Sequence, residues 1–211
     1  MRDPGLMRLA EAERHDFLGL LRTLTPEQWQ APSLCAGWSV RDVAVHVVSY
    51  DPLSVRQLGG AFARGRFRVD RVNELVLRAY DGLSTSAVVD LVARHQVPRG
   101  LTAGFGGGIA LTDGTIHHQD IRRALDLPRT IPGGHLVPVL EFARSAPTLP
   151  ARRLTRGLRV VADDVAYDAG SGPEVTGPGE ALLMAMSGRS VALAELSGPG
   201  RDLLASRLGG R

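Results

Sequence analysis

The stretch Thr112-Asp-Gly-Thr-Ile-His-His-Gln-Asp-Ile-Arg-Arg123 concentrates side chains able to bind a metal ion. On a helix, Asp113, His117 and Asp120 stand at i, i+4 and i+7 and therefore share one face. Asp113 and His117 can reach a single ion together, as paired ligands do on metal-binding helices. His118 points about 100° away from that face and is the weaker candidate. Two protein ligands rarely hold an ion, so a third is expected from another segment. His46 is the natural partner, because it sits in the apolar stretch Val43-Ala-Val-His-Val-Val48, where an unpaired polar ring is costly to bury. Two neutral imidazoles and one carboxylate suit zinc with an open position, although iron, nickel and manganese take similar donors. An open position permits Lewis-acid chemistry or the binding of a thiolate.

Plainer roles compete with this one. A lone histidine in an apolar helix is more often a hydrogen-bonded core residue. Asp113 near a helix start can simply favour the dipole, and Asp120 can pair with Arg122 or Arg123. An i, i+4 pair is a short motif, and spacing alone leaves the metal as the minority reading.

The elements that must carry these residues are legible from periodicity and caps. A first helix is expected from near Leu6 to Leu24, and Thr25-Pro-Glu-Gln28 has the cap, proline and glutamine that open a short second one. Residues 31–38 form an irregular connector, in which Gly37 permits a tight turn, and Trp38 together with the preceding Trp29 packs under the helices. Ser39-Val-Arg-Asp42 opens the helix that bears His46. Further helices are expected at 53–64, 69–81, 86–96, 109–125 and 135–146. Residues 98–108 are read as a loop, a lip at the start of the helix bearing Asp113 and His117. This loop lacks the lysine and the strand-to-helix context of a phosphate-binding motif. Beyond Pro150 the texture changes to strands at 157–163 and 165–168 and helices at 179–186 and 203–208. The expected organisation is a mainly α chain, with a helical domain over 1–150 and a small α/β domain over 151–211 packed on it.

Composition narrows the function classes. The chain has 211 residues, 44% hydrophobic and 22% charged, with one cysteine. Cys35 alone excludes an internal disulfide and a cysteine-based zinc site, and it reads as a small buried residue because nothing basic adjoins it in sequence. All 25 basic residues are arginine, which fits translation of a GC-rich genome and explains the pI of about 9.7 without a function. The net charge of +3 is modest and the arginines are scattered apart from Arg64, Arg66, Arg68 and Arg71, so no nucleic-acid partner is expected. No apolar run approaches the roughly 20 residues that span a membrane, and Met1 to Leu9 lacks the apolar stretch of a secretory leader. A cytoplasmic protein, a monomer or homodimer with no membrane partner, is expected.

Two longer motifs carry a resemblance. Leu24-Thr-Pro-Glu-Gln-Trp29 followed by Cys35-Ala-Gly-Trp-Ser-Val-Arg-Asp-Val-Ala-Val-His46 resembles the N-terminal signature of the mycothiol-dependent maleylpyruvate isomerase family. His117-His-Gln-Asp-Ile-Arg-Arg-Ala-Leu125 is similar to the family's His-x-x-Asp segment, which has a carboxylate four residues upstream. Leu158-Arg-Val-Val-Ala-Asp163, Gly170 to Gly177 and Ser187-Gly-Arg189 extend the similarity to nearly the whole chain. The resemblance implies a DinB-like four-helix bundle, a divalent metal held by His46, Asp113 and His117, and Asp120 as the residue that orients His117. The family usually has glutamate where this chain has Asp113. The shorter arm puts activity in doubt more than fold.

The resemblance also implies mycothiol as a cofactor and a small-molecule electrophile or unsaturated acid as substrate. S-transfer is placed slightly ahead of maleylpyruvate-type cis–trans isomerisation. Arg122, Arg123, Arg144 and Arg189 are candidate contacts for the anionic groups of cofactor or substrate, although an arginine in so arginine-rich a chain is usually a solvated surface residue. Two other readings stand beside the enzyme: a metal-binding bundle without turnover, and an isomerase or cyclase that works without thiol.

Overall fold

The computed structural model describes residues 4–209. Met1 to Asp3, at the head of the segment read as lacking a leader, lie outside the described residues. Two compact units divide the chain between Pro128 and Arg129, ahead of the division expected at 150. The reason is the helix at 133–145, which packs on the buried helix at 179–186 and so belongs with the second unit.

The first unit is helical: α1 (Pro4–Leu21), α2 (Pro26–Gln30), α3 (Val40–Ser49), α4 (Val55–Arg64), α5 (Val69–Leu77), α6 (Thr85–Arg94) and α7 (Gly108–Ala124). Helices α1, α3, α6 and α7 pack on one another as a four-helix bundle. Its core is built from Phe17, Leu21, Val40, Val43, Val47, Val88, Val92 and Ile121. A smaller cluster of Tyr50, Ala61, Val72 and Val76 lies beneath α4 and α5.

Helix starts follow the caps in the sequence. Thr25 with Gln28, Ser39 with Asp42 and Ser54 with Gln57 each form a reciprocal capping box at the heads of α2, α3 and α4. The start of α7 is set differently. The glycine-rich segment forms a 3₁₀ turn over Gly104–Gly107, and Gly107 takes φ 99° directly against α1. A Cβ there would lie 2.8 Å from the Met7 Cα. Only glycine permits this approach, which fixes the height of α7, and hence of Asp113 and His117, in the bundle.

Buried polar staples lock the same helices. Arg14 of α1 forms a bidentate pair with Asp51 at 2.6 and 2.9 Å and donates to the backbone carbonyls of His95 and Val47. Thr102 donates to the same carboxylate at 2.7 Å. The pair ties α1 to the ends of α3 and α6, and removing one partner would leave an uncompensated buried charge, at about 3–5 kcal/mol.

The second unit contains α8 (Gly133–Ser145), α9 (Ala151–Leu154), β1 (Arg159–Ala162), β2 (Asp168–Gly170), β3 (Glu174–Gly177), α10 (Gly179–Met186) and α11 (Arg201–Gly209). Its sheet has the order β2-β1-β3, with β1 antiparallel to β2 and parallel to β3. The second strand lies a few residues later than expected, and β3 is not anticipated because a four-residue strand after Gly-Ser-Gly-Pro reads as turn. Helix α10 is buried from Ala181 to Met186 and supplies the core of this unit. Among the described residues no helix is long and apolar enough to cross a membrane.

Candidate metal centre

His46 of α3 and His117 of α7 face each other across the bundle, with ring centroids 4.8 Å apart at 85°. Asp113, one turn before His117, places Oδ1 3.5 Å from His117 Nε2 and 3.6 Å from His46 Nε2. The three donor atoms lie within 4.8 Å of one another. Both contacts to Asp113 exceed the roughly 2.7–2.9 Å of a charge-assisted hydrogen bond. Donors about 2.0–2.1 Å from a tetrahedral zinc ion would themselves be separated by about 3.4 Å. The two contacts that Asp113 makes match that separation. The two rings are buried, and Asp113 is the exposed side of the cluster at 37% of its side chain.

The outer nitrogens of the two rings differ. His117 Nδ1 lies 2.9 Å from Asp120 Oδ2, on a carboxylate with no solvent exposure. That bond fixes the ring and aims Nε2 at Asp113, as a carboxylate behind a metal-binding histidine does. Among the described residues His46 Nδ1 is buried without a hydrogen-bond partner, so this ring, unlike that of His117, is not fixed from behind.

The cluster is electrostatically coupled. Burial works against ionisation of Asp113, but the facing His117 and His46 outweigh it and hold the carboxyl well below the usual carboxylate range. Burial likewise opposes a charge on His117, and the Asp113 charge together with hydrogen bonding to Asp120 and Cys35 raises it well above the ordinary imidazole value. Tyr50, edge-on to His46 at 5.9 Å, has its hydroxyl pushed above the ordinary phenol range by burial and by the Asp113 charge.

His118 belongs to a separate arrangement. Its Nδ1 lies 2.8 Å from Glu13 Oε1, and Arg122 Nε donates to its Nε2 at 2.8 Å. An acceptor at Nε2 places the proton on Nδ1 and makes the ring a neutral link between α1 and α7. The side chains of Glu13 and His118 are 3% and 0% exposed, so this is an internal staple. Arg122 joins it through Nε, while its Nη1 donates to the Leu127 carbonyl at 3.3 Å. Arg123 is half-buried on α7. Arg144 and Arg189 lie in the second unit, Arg144 exposed in a cavity of about 450 Å³ with Arg152 and Arg156, and Arg189 donating to the Ser187 carbonyl at 2.7 Å.

Two residues of the connector 31–38 join the site without having been expected there. The connector closes on itself through Ser33 N to Trp38 O at 3.0 Å, turns at Gly37 with φ 80°, and is tied to α7 by Leu34 N donating to the Asp120 carbonyl. This brings the Trp38 ring to 4.8 Å from His46 and 6.2 Å from His117, as a wall of the cluster. Trp29, by contrast, is buried in the bundle core as expected. Cys35 Sγ donates to Asp120 Oδ2 at 3.0 Å and lies 3.5 Å from His117 Nδ1. Nothing basic adjoins Cys35 in the local sequence, and the imidazole beside it in the fold comes from 82 residues away. Cys35, His117 and Asp120 form a second set of donor atoms within 4.8 Å.

Fold and donor set together define a class: a helical bundle with a convergent His–Asp–His cluster, joined to a small α/β unit. Residues 10–103 match the family model of the mycothiol maleylpyruvate isomerase N-terminal domain. The matched range contains Cys35, Trp38 and His46, while Asp113 and His117 lie beyond it. A crystal structure of the mycothiol-dependent maleylpyruvate isomerase superposes with a TM-score of 0.54 at 14% identity, covering 92% of this chain and 91% of that one. A mutant of that enzyme gives a TM-score of 0.51 with the same identity and coverage. At that identity the likeness is one of fold, and it extends over both units. Among curated proteins none matches the sequence.

Proposed function

We propose that the chain is a metal-dependent enzyme that uses mycothiol, a low-molecular-weight thiol, to isomerise a small unsaturated acid from cis to trans. His46, Asp113 and His117 would hold the ion, with zinc the metal that the donor set suits best. The observation that carries this reading is the convergence of the three donor atoms, with the far nitrogen of His117 already taken by Asp120. The N-terminal family match and the shared fold support isomerisation over S-transfer, which reverses the order given with the resemblance in the sequence.

A bound divalent ion would supply charge that stabilises a thiolate at neutral pH. A thiolate in turn supplies reversible addition to a cis double bond: a carbon–sulfur bond forms, rotation follows about the resulting single bond, and the same bond breaks to release the trans product. The chain contributes positioning. Asp120 holds His117 in one orientation, the Trp38 ring covers the histidine pair, and the buried faces of α3 and α7 keep water from all but the Asp113 side. Asp113 in place of the family's usual glutamate shortens the reach of the third donor.

The test is turnover. Purified protein loaded with Zn²⁺ is given maleylpyruvate with and without mycothiol, and in parallel monobromobimane with mycothiol. The reading expects thiol-dependent cis–trans conversion above the rate with thiol alone. Bimane conjugation without isomerisation would restore S-transfer, full isomerisation without thiol would favour a thiol-free enzyme, and no rate on either substrate would leave a metal-binding bundle.

A further inference from the structure

We infer that Cys35 is a positioning residue of the metal centre, acting through Asp120 on His117. The inference rests on the metal reading for its consequence but on geometry for its substance. One oxygen, Asp120 Oδ2, accepts from both the Cys35 thiol at 3.0 Å and His117 Nδ1 at 2.9 Å. The thiol also lies 3.5 Å from that same nitrogen, so the three groups close a triangle. Asp120 sits on a fixed helix and has no solvent exposure. Cys35 reaches its Oδ2 from a separate segment of chain, the turn that Gly37 and the Leu34 bond to α7 hold in place, and so restrains the terminal torsion of the carboxylate.

Cys35 is engaged as a hydrogen-bond donor to Asp120, and the separate thiol of the proposed reaction would supply the nucleophile. The residue type also suits the place. A thiol is a weak donor of larger radius than a hydroxyl, able to fill the gap behind the imidazole while leaving the shorter, stronger bond to His117. Deleting it should loosen the carboxylate without removing it.

The test compares Cys35→Ala and Cys35→Ser with the unmodified full chain, alone and combined with Asp120→Asn. Affinity for Zn²⁺ is measured by competition with a chromophoric chelator, and the His117 ring NH and nitrogen resonances are followed in the metal-free protein. Cys35→Ala should weaken Zn²⁺ binding by about tenfold, the lower end of what partners behind zinc ligands contribute. Cys35→Ser keeps a donor and should recover most of that loss. In the Asp120→Asn background, Cys35→Ala should add little, because its route is already broken. The His117 ring resonances should move in Cys35→Ala even without metal, a readout that general loss of stability does not predict. Equal Zn²⁺ affinity in all three Cys35 forms, or unmoved His117 resonances, would overturn the assignment. So would a full additive loss in the double variant. Failure of the unmodified chain to bind Zn²⁺ would instead sink the metal reading, while the resonances would still decide the role of Cys35.

Discussion

Two neighbouring histidines of α7 face opposite kinds of surroundings, although each has a carboxylate on Nδ1. His118 spends both ring nitrogens inside the protein, one on Glu13 and one on Arg122. His117 spends one on Asp120 and presents the other, Nε2, 3.5 Å from Asp113 Oδ1, the oxygen that His46 Nε2 approaches at 3.6 Å. The two differ in what remains unsatisfied once folding is complete. A closed ring fastens helices together, whereas a ring fixed from behind and open in front is poised to bind. Burial does not separate them, since both are buried; the destination of the second nitrogen does.

The sharpest way to break the comparison is to delete each ring. His117→Ala and His46→Ala should abolish stoichiometric Zn²⁺ binding, measured by elemental analysis after reconstitution, while keeping the helical fold. His118→Ala should do the reverse. It leaves Glu13 buried beside a lost partner and should destabilise the fold by about 3 kcal/mol in denaturant melts, with metal content retained. Zinc loss in His118→Ala without destabilisation would reverse the two roles.

Asp113 gives the next effect. Asp113→Ala should weaken Zn²⁺ binding by roughly two orders of magnitude, whereas Asp113→Glu should keep one equivalent, since the donor survives with one more methylene. A variant with glutamate that loses metal would show that the cleft is shaped for the shorter arm.

Acidity offers a third contrast. In the metal-free protein the raised His117 contributes stability that is present below its unfolded value of about 6.5 and lost as pH rises through its folded value. The depressed Asp113 contributes stability present above about 4 and lost as pH falls through its folded value. Their pairing should therefore favour the metal-free fold most between about pH 4 and 6.5. Zn²⁺ affinity should run the other way, strengthening as pH rises, with protons released on binding in weakly buffered titrations. Metal-free melts that shift identically in His117→Ala and the unmodified chain across this range would remove the pairing from the account. The smallest effect belongs to Trp38→Phe, which keeps an aromatic wall and should change Zn²⁺ affinity by no more than about threefold, with loss of any metal-dependent change in tryptophan emission.

Much of this centre is legible in the sequence. Asp113 and His117 are local, one helical turn apart, and the capping boxes place α3 so that His46 arrives on a buried face. What stays hidden depends on folding at long range. Cys35 meets Asp120 across 85 residues, and Arg14 meets Asp51 across 37, with no local periodicity to announce either. His118 is disfavoured as a ligand by its angle on the helix, but its partner Glu13 comes from α1 and cannot be found by spacing. Trp38 reads as core because a tryptophan usually is, and only the turn at Gly37 swings its ring over the histidines. Arg122 lends its Nε to His118, one turn earlier on the same helix, a use that its charge alone does not announce. The unit boundary is obscured because α8 carries no texture to distinguish it from the bundle helices before it, and its partner α10 lies far along the chain.

The central claim is that one ion sits between α3 and α7 on the open side of His117. Anomalous diffraction at the zinc edge from crystals of the reconstituted full chain tests it most directly. The account predicts a single strong peak bounded by His46 Nε2, Asp113 and His117 Nε2. A peak on the Cys35–Asp120 side of the ring, or density at the three donors that shows only their mutual contacts in protein containing one equivalent of zinc, would contradict it.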